Sequence, residues 1–383
     1  MKRLVIALGF TQLLGWGSTF YLPATLGDAM AASLSLPREV IVGGVTMMVI
    51  ASAIASPAVG RIADRGGARV LLAGGSLLLA VGLLVLSQAQ GLAGFIVAWL
   101  LLGLGGALAL SVTPNVALIQ VAGDNARAGV AALSLTVGMT STVCFPVTAW
   151  MAGEIGWRGA CLVFAAVQLL VALPLHLSVA PRREAARPMQ QARRGEVALA
   201  RPMLAFGLLA ATYSLFSLLS WGIPIQMIPL FEDMGMGPVA AVAVAALFGP
   251  AQVASRIGDL VLGRRIRVTT LGIASAVLMP LAFLPALIVP GTVSAILLAV
   301  LYGLGAGTLT VARAILPMLL FGREAYGMWL GRLAVPTQIA SAISPVLLAA
   351  AFGAGANVLL WLCLAVSLGL LGCMIALARR VPE

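Results

Sequence analysis

GRIADRGGAR, residues Gly60–Arg69, is the stretch whose reading decides the fold. It is a short polar run set between two apolar runs, each long enough to cross a bilayer. The spacing returns, weakened, at Ser255–Arg264, SRIGDLVLGR, where Arg256, Ile257, a small residue, Asp259 and the closing Arg264 keep their places. Leu260 stands in this second copy where Arg65 stands in the first. A polar turn repeated at matching points of an apolar chain is what a duplicated membrane protein shows.

Composition agrees. Of 383 residues 61% are hydrophobic and 9% charged, where soluble domains carry about 25% charged residues. Mean hydropathy is +1.09. The formal charge of +11 is spread over short segments between apolar spans, a positive-inside distribution rather than a nucleic-acid face. The four cysteines, Cys144, Cys161, Cys363 and Cys373, lie in apolar segments without metal-like spacing and read as small packing residues. Met1-Lys2-Arg3 imitates the start of a signal peptide, but the apolar run behind it continues to Leu26, about 23 residues and enough to span.

Apolar runs predict twelve helices, roughly 4–27, 38–59, 70–88, 92–120, 127–152, 157–179, 202–224, 237–261, 268–288, 292–320, 325–351 and 356–378. The expected fold is therefore all-α and membrane-integral, two pseudo-symmetric six-helix bundles at 1–179 and 202–383. Between them Ala180–Arg201, with Arg182, Arg183, Arg187, Arg193, Arg194 and Arg201, reads as a basic cytoplasmic linker. With the N-terminus inside, twenty of the 23 Lys and Arg fall on the cytoplasmic side. Arg38 and Arg158 fall outside, and Arg313 falls within a helix. Internal matches support duplication. Leu13-Leu14-Gly15-Trp16-Gly17 pairs with Leu218-Leu219-Ser220-Trp221-Gly222, Gly103-Leu104-Gly105 with Gly303-Leu304-Gly305, and Pro146 with Pro345. Two such halves share a site near the midplane that opens to either side as one rocks against the other.

The pattern Gly-x-x-x-Asp-Arg-x-Gly-x-Arg between the second and third membrane helices resembles the signature loop of the major facilitator superfamily. The resemblance covers the whole chain and implies an alternating-access secondary transporter. It gives Gly60, Asp64, Arg65 and Arg69 the role of a latch on the outward-facing state, and Arg256, Asp259 and Arg264 a weaker copy of that role. An acid near the cytoplasmic start of helix 11 would be stabilised by the positive end of its dipole. The resemblance also places helices 1, 4, 7 and 10 around a central cavity. Exporters of the family often carry an Arg in helix 4 ahead of a Gln and a Gly-Pro pair in helix 5. Trp99, Leu102 and Phe145-Pro146 stand there instead. Gly156-Trp157-Arg158-Gly159 looks more like the monocarboxylate and oxalate-type anion carriers.

Arg313 is the one charge the reading places inside a membrane helix, seven residues or about 10 Å from Leu320. An Arg at a helix centre costs about 2.5–3.5 kcal/mol on insertion scales, so it faces a cavity or a partner, or snorkels. On a cavity helix its guanidinium would hold a carboxylate through two parallel hydrogen bonds. Tyr213, Ser217 and Trp221 share one face of helix 7 and Gln12 and Trp16 one face of helix 1, and all are candidate ligand contacts. Gln252 and Gln338, in helices 8 and 11, are further candidates, although polar side chains also serve to join helices. Asp28 could couple protons, yet Asp233 at the matching point suggests that both mark helices leaving the bilayer; His176 reads as an interfacial packing residue.

The function expected is secondary transport of a small organic anion, the alternative being a proton-coupled exporter of lipophilic or cationic compounds. No zinc motif, nucleophile constellation or signalling domain points to an enzyme or receptor. The expected setting is a bacterial-type inner membrane with both termini cytoplasmic. The expected partners are a small-molecule substrate, the bilayer and a coupling proton or counter-substrate, with no metal, cofactor or nucleic acid, and the expected state is a monomer.

Overall fold

A backbone in lipid must satisfy its own hydrogen bonds, so long apolar runs become helices. The computed structural model describes residues 2–122, 126–180, 202–262, 266–322 and 325–380, and no strand occurs among them. The first part of the chain forms α1 (Lys2–Gly17), α2 (Leu22–Leu34), α3 (Arg38–Gly66), α4 (Ala68–Gln88), α5 (Leu92–Gly106), α6 (Thr113–Ala122), α7 (Ala126–Gly138), α8 (Thr140–Val167) and α9 (Leu173–Val179). The second forms α10 (Pro202–Asp233), α11 (Pro238–Ala245), α12 (Phe248–Leu262), α13 (Val268–Ile288), α14 (Thr292–Phe321), α15 (Tyr326–Gly353) and α16 (Ala356–Ala378). Eleven continuous segments among the described residues are long and apolar enough to span. One of them, Ala126–Val179, has 54 residues, near 80 Å of helix against a hydrocarbon core of about 30 Å. It must cross twice, and its break is Gly156, at φ 71 and ψ 171. Twelve crossings result among the described residues.

The stretch that opened the reading is corrected in one respect. GRIADRGGAR is not an open loop, because α3 runs on to Gly66 and only Gly67 interrupts the helix before α4 begins. Arg, Ile and Ala sustain the helix, and glycine at φ 80 supplies the left-handed break that other residues resist. The first helix is also longer and less regular than 4–27. It breaks at Ser18–Tyr21, where the Ser18 and Thr19 hydroxyls both donate to the Gly15 carbonyl (3.3 and 2.7 Å), and resumes to Leu34.

Two helices contain π-turns, Ala107–Ser111 between α5 and α6 and Gln168–Ala172 between α8 and α9. Each lies just before a proline, Pro114 and Pro174. Proline lacks an N–H and clashes with the carbonyl four residues back, and a widened turn relieves both faults.

Close contacts separate the described chain into two compact units, Met1–Ala192 with Arg323–Val335, and Arg193–Gly322 with Pro336–Glu383. In lipid the tails are as apolar as leucine, so helices associate through close fit rather than burial. In the first unit a Cβ at Gly103 would lie 2.7 Å from the Met48 carbonyl oxygen; in the second, one at Gly303 would lie 2.8 Å from that of Phe248. The duplicated glycines thus make the same backbone approach in each unit. His176 is buried in the first unit, with Nε2 2.9 Å from Thr11 Oγ1 and Nδ1 2.8 Å from Ser76 Oγ, and it ties α9 to α1 and α4. Asp28 is 79% exposed and pairs with Arg38 Nε at 3.3 Å, which fastens α2 to the start of α3.

Arg158, behind the Gly156 break, clamps the same end of the first unit. Its Nη1 donates to the carbonyls of Ser87 and Ala89 (2.8 Å each), its Nη2 to Ser33 Oγ (3.2 Å), and its guanidinium lies 4.2 Å from the Trp157 ring centre. Hydrogen bonds from a charged group contribute about 1.5–3 kcal/mol. Arg158→Ala is therefore expected to lower the melting temperature by several degrees in size-exclusion thermal assays. Arg158→Lys should recover only part, because an ammonium cannot span both carbonyls and the hydroxyl.

Candidate functional site

Asp64 stands three residues before the Gly67 break, half-buried. Its carboxylate accepts the backbone N–H groups of Gly327 (2.8 Å, Oδ1) and Met328 (2.7 Å, Oδ2), both in the first turn of α15. First-turn N–H groups have no partner within their helix, and the positive end of the dipole favours an anion there. The approach depends on glycine. A Cβ at Gly60 would overlap the Gly327 carbonyl oxygen, and one at Gly331 would overlap that of Ser56. Around this junction Arg69 Nε donates to the Ala180 carbonyl at the end of α9 (2.7 Å), and Gln120 Nε2 to the Ala63 carbonyl (3.3 Å). Arg61 and Arg65 are exposed. All these residues belong to the first compact unit.

In the second unit Arg313 lies in α14, half-buried, its guanidinium carbon 5.9 Å from the Tyr213 ring centre and 6.0 Å from that of Phe216. Pro317, four residues on, cannot donate to the Arg313 carbonyl. The Tyr213 hydroxyl donates to it instead, at 2.5 Å from α10. The guanidinium is thus carried on a proline-disturbed turn with two aromatic faces beside it, an arrangement that suits a cation and whatever anion the cation holds.

The first unit repeats this device. In the five-residue spacing of the π-turn, the donor due at the Ala109 carbonyl is residue 114, a proline. Gln12 Nε2 donates to that carbonyl at 2.5 Å, and Gln12 Oε1 accepts from Trp16 Nε1 at 3.1 Å. Gln12 is 2% exposed and both ends of its amide are engaged, while Trp16 is half-buried.

The family model described as Major Facilitator Superfamily matches residues 4–345. The chain belongs to the major facilitator superfamily. Among proteins of this kind it is 29% identical to monocarboxylate transporter 13 of Rattus norvegicus over 282 residues, 69% of this chain and 62% of that one. The match thus spans less than two thirds of the rat protein. Its fold is similar to that of the human organic anion transporter MFSD10 (TM-score 0.74, 16% identity, 97% and 99% of the two chains covered). It is equally similar to the proton:xylose symporter XylE (TM-score 0.74, 13% identity, 100% and 95% covered).

Within this transporter fold the remaining candidates sit as follows. Ser217 is 1% exposed, and its hydroxyl has no hydrogen-bond partner among the described residues. Trp221 and Gln338 are half-buried in α10 and α15. Gln252 Oε1 lies 3.4 Å from Arg256 Nη2. Arg264 falls outside the described residues, as do the linker arginines Arg182–Arg201.

Here the sequence reading is corrected. Arg313 is not the one charge within a membrane-length helix: Arg256 and Asp259 lie inside α12, 7% and 6% exposed. α12 runs to Leu262, so both residues are part of the helix and not of the turn that follows it. Phe216, beside Arg313, adjoins the Tyr213–Trp221 stripe without sharing its four-residue spacing. The four-residue spacing of Gln252 and Arg256 was readable as a helical pair.

Proposed function

We propose that the protein is a secondary carrier of small organic anions, with monocarboxylates as the substrate class, working by alternating access. The observation that carries this is Arg313, a cation on a membrane helix walled by the rings of Tyr213 and Phe216. A guanidinium offers two parallel donors to one carboxylate, and the two buried rings beside it hold the cation in place. The similarity to a protein named as a monocarboxylate transporter supports the class. The halves 1–179 and 202–383, joined by the basic segment 180–201, are the moving bodies in this reading. Both termini are cytoplasmic, in an inner membrane of bacterial type, and a proton or counter-substrate supplies the drive.

The test is uptake by the full chain in proteoliposomes of radiolabelled pyruvate, sulfate and a quaternary ammonium dye, each with and without an imposed proton gradient. Saturable pyruvate uptake, competed by other monocarboxylates, is the expected result. Transport of the dye alone would establish the exporter instead. Transport of sulfate alone would keep an anion site and discard the carboxylate.

A further inference from the structure

Three observations converge on one bond. Pro317 removes the N–H that would close the helical turn on the Arg313 carbonyl. The Tyr213 hydroxyl, from a different helix, sits 2.5 Å from that oxygen. Tyr213 is 2% exposed, so its ring is held by packing and its hydroxyl is spent on the backbone rather than offered to a ligand. The same arrangement recurs in the other unit, where Gln12 meets the Ala109 carbonyl ahead of Pro114. A buried carbonyl left without a donor is unfavourable, and in lipid no water replaces the missing group.

We propose that Tyr213 is a positioning residue: its hydroxyl stands in for the N–H that Pro317 lacks, ties α10 to the Arg313 carbonyl, and fixes the turn from which the Arg313 guanidinium projects. Without the tie, the last turns of α14 are free to rotate about the proline, and the cation leaves the pair of rings that flank it. Tyr213 then acts on substrate through Arg313 and does not touch it. The proposal rests on the anion-binding reading of Arg313 for its functional part only; the tie itself is independent of any ligand.

Proline makes the test clean. Pro317→Ala restores an N–H opposite the Arg313 carbonyl, so the hydroxyl becomes redundant there. Tyr213→Phe, which removes the hydroxyl and keeps the ring, is measured in the wild-type and Pro317→Ala backgrounds of the full chain. The readouts are thermal stability without ligand and equilibrium binding of pyruvate. In the wild-type background Tyr213→Phe is expected to lower the melting temperature and weaken pyruvate binding about fivefold to tenfold, the scale of one lost hydrogen bond. In the Pro317→Ala background the same substitution should change affinity by less than about twofold and leave the melting temperature in place. Equal losses of affinity in both backgrounds would mean that the hydroxyl meets the ligand directly, and would overturn the proposal. Silence of Tyr213→Phe in both would overturn it too. If wild type binds no pyruvate, the anion reading falls, and the tie is decided by the stability cycle alone. Should Pro317→Ala fail to fold, hydrogen exchange over residues 309–321 replaces the cycle. Exchange about tenfold faster in Tyr213→Phe supports the tie, and unchanged exchange sinks it.

Discussion

Arg313→Gln is expected to abolish saturable pyruvate uptake, with binding weakened at least a hundredfold, while the protein elutes as wild type on size exclusion. The estimate follows from the loss of two charge-assisted hydrogen bonds of about 1.5–3 kcal/mol each, where about 1.4 kcal/mol is a factor of ten. Removing a half-buried cation also relieves a desolvation penalty, so folding should not suffer. Arg313→Lys separates two readings of the same residue. A snorkelling arginine tolerates lysine, since both carry long apolar stems and a charged tip. An arginine that grips a carboxylate does not, because lysine keeps the charge and loses the planar fork. An intermediate loss of affinity in Arg313→Lys, between wild type and Arg313→Gln, is the expected pattern. Unchanged affinity in Arg313→Gln removes the anion site, and a gain in binding of cationic compounds would favour the exporter.

The path from sequence to fold was short for the spans and long for the side chains. Apolar runs bounded by polar turns place twelve crossings because lipid leaves the backbone no alternative to helix. Gly156 had to be a break once a single 54-residue run was known to exceed the bilayer twice over. The helix read over 237–261 already takes in Arg256 and Asp259; what one dimension does not give is that both side chains are buried. The prolines at 114, 174 and 317 announce where carbonyls lose their donors, and that much is legible in one dimension. Which side chain answers each vacancy is a tertiary fact. Periodicity puts Gln12 with Trp16, and Tyr213 with Ser217 and Trp221, on single faces. It does not say that Gln12 and Tyr213 turn their polar atoms to a neighbouring backbone. Of the residues read as ligand contacts, these two thus spend a polar group on the backbone of a neighbouring helix.

The second large effect is expected at Gly60, where adding one methyl should do more than removing a charge. The hydrogen of Gly60 leaves room for the Gly327 carbonyl, and a Cβ there would overlap that oxygen and approach the Gly331 Cα to 3.3 Å. Both obstacles are backbone, so no rotamer change relieves them, and overpacking of this kind costs about 1–3 kcal/mol. The first turn of α15 must then withdraw from α3, and with it go the bonds of 2.8 and 2.7 Å that Asp64 accepts from Gly327 and Met328. Asp64→Asn leaves the backbones in contact; it removes the charge that complements the dipole and, by setting an amide NH2 in place of one accepting oxygen, gives up one of the two bonds where Gly60→Ala gives up both. Gly60→Ala should accordingly shift the population of the docked state by a factor of about ten or more, and Asp64→Asn by less. α15 passes from the first compact unit to the second at Pro336, so its first turn is continuous with a helix that the second unit shares. Spin labels at Arg61 and Met328, both ends of the junction, would report the distance directly. A distance distribution in Gly60→Ala that overlays the wild type would reject the junction as a latch, whatever happened to transport. A longer distance with slowed pyruvate uptake, in a protein that melts within a few degrees of wild type, is the expected result. If pyruvate is not carried, the distance alone still decides the latch.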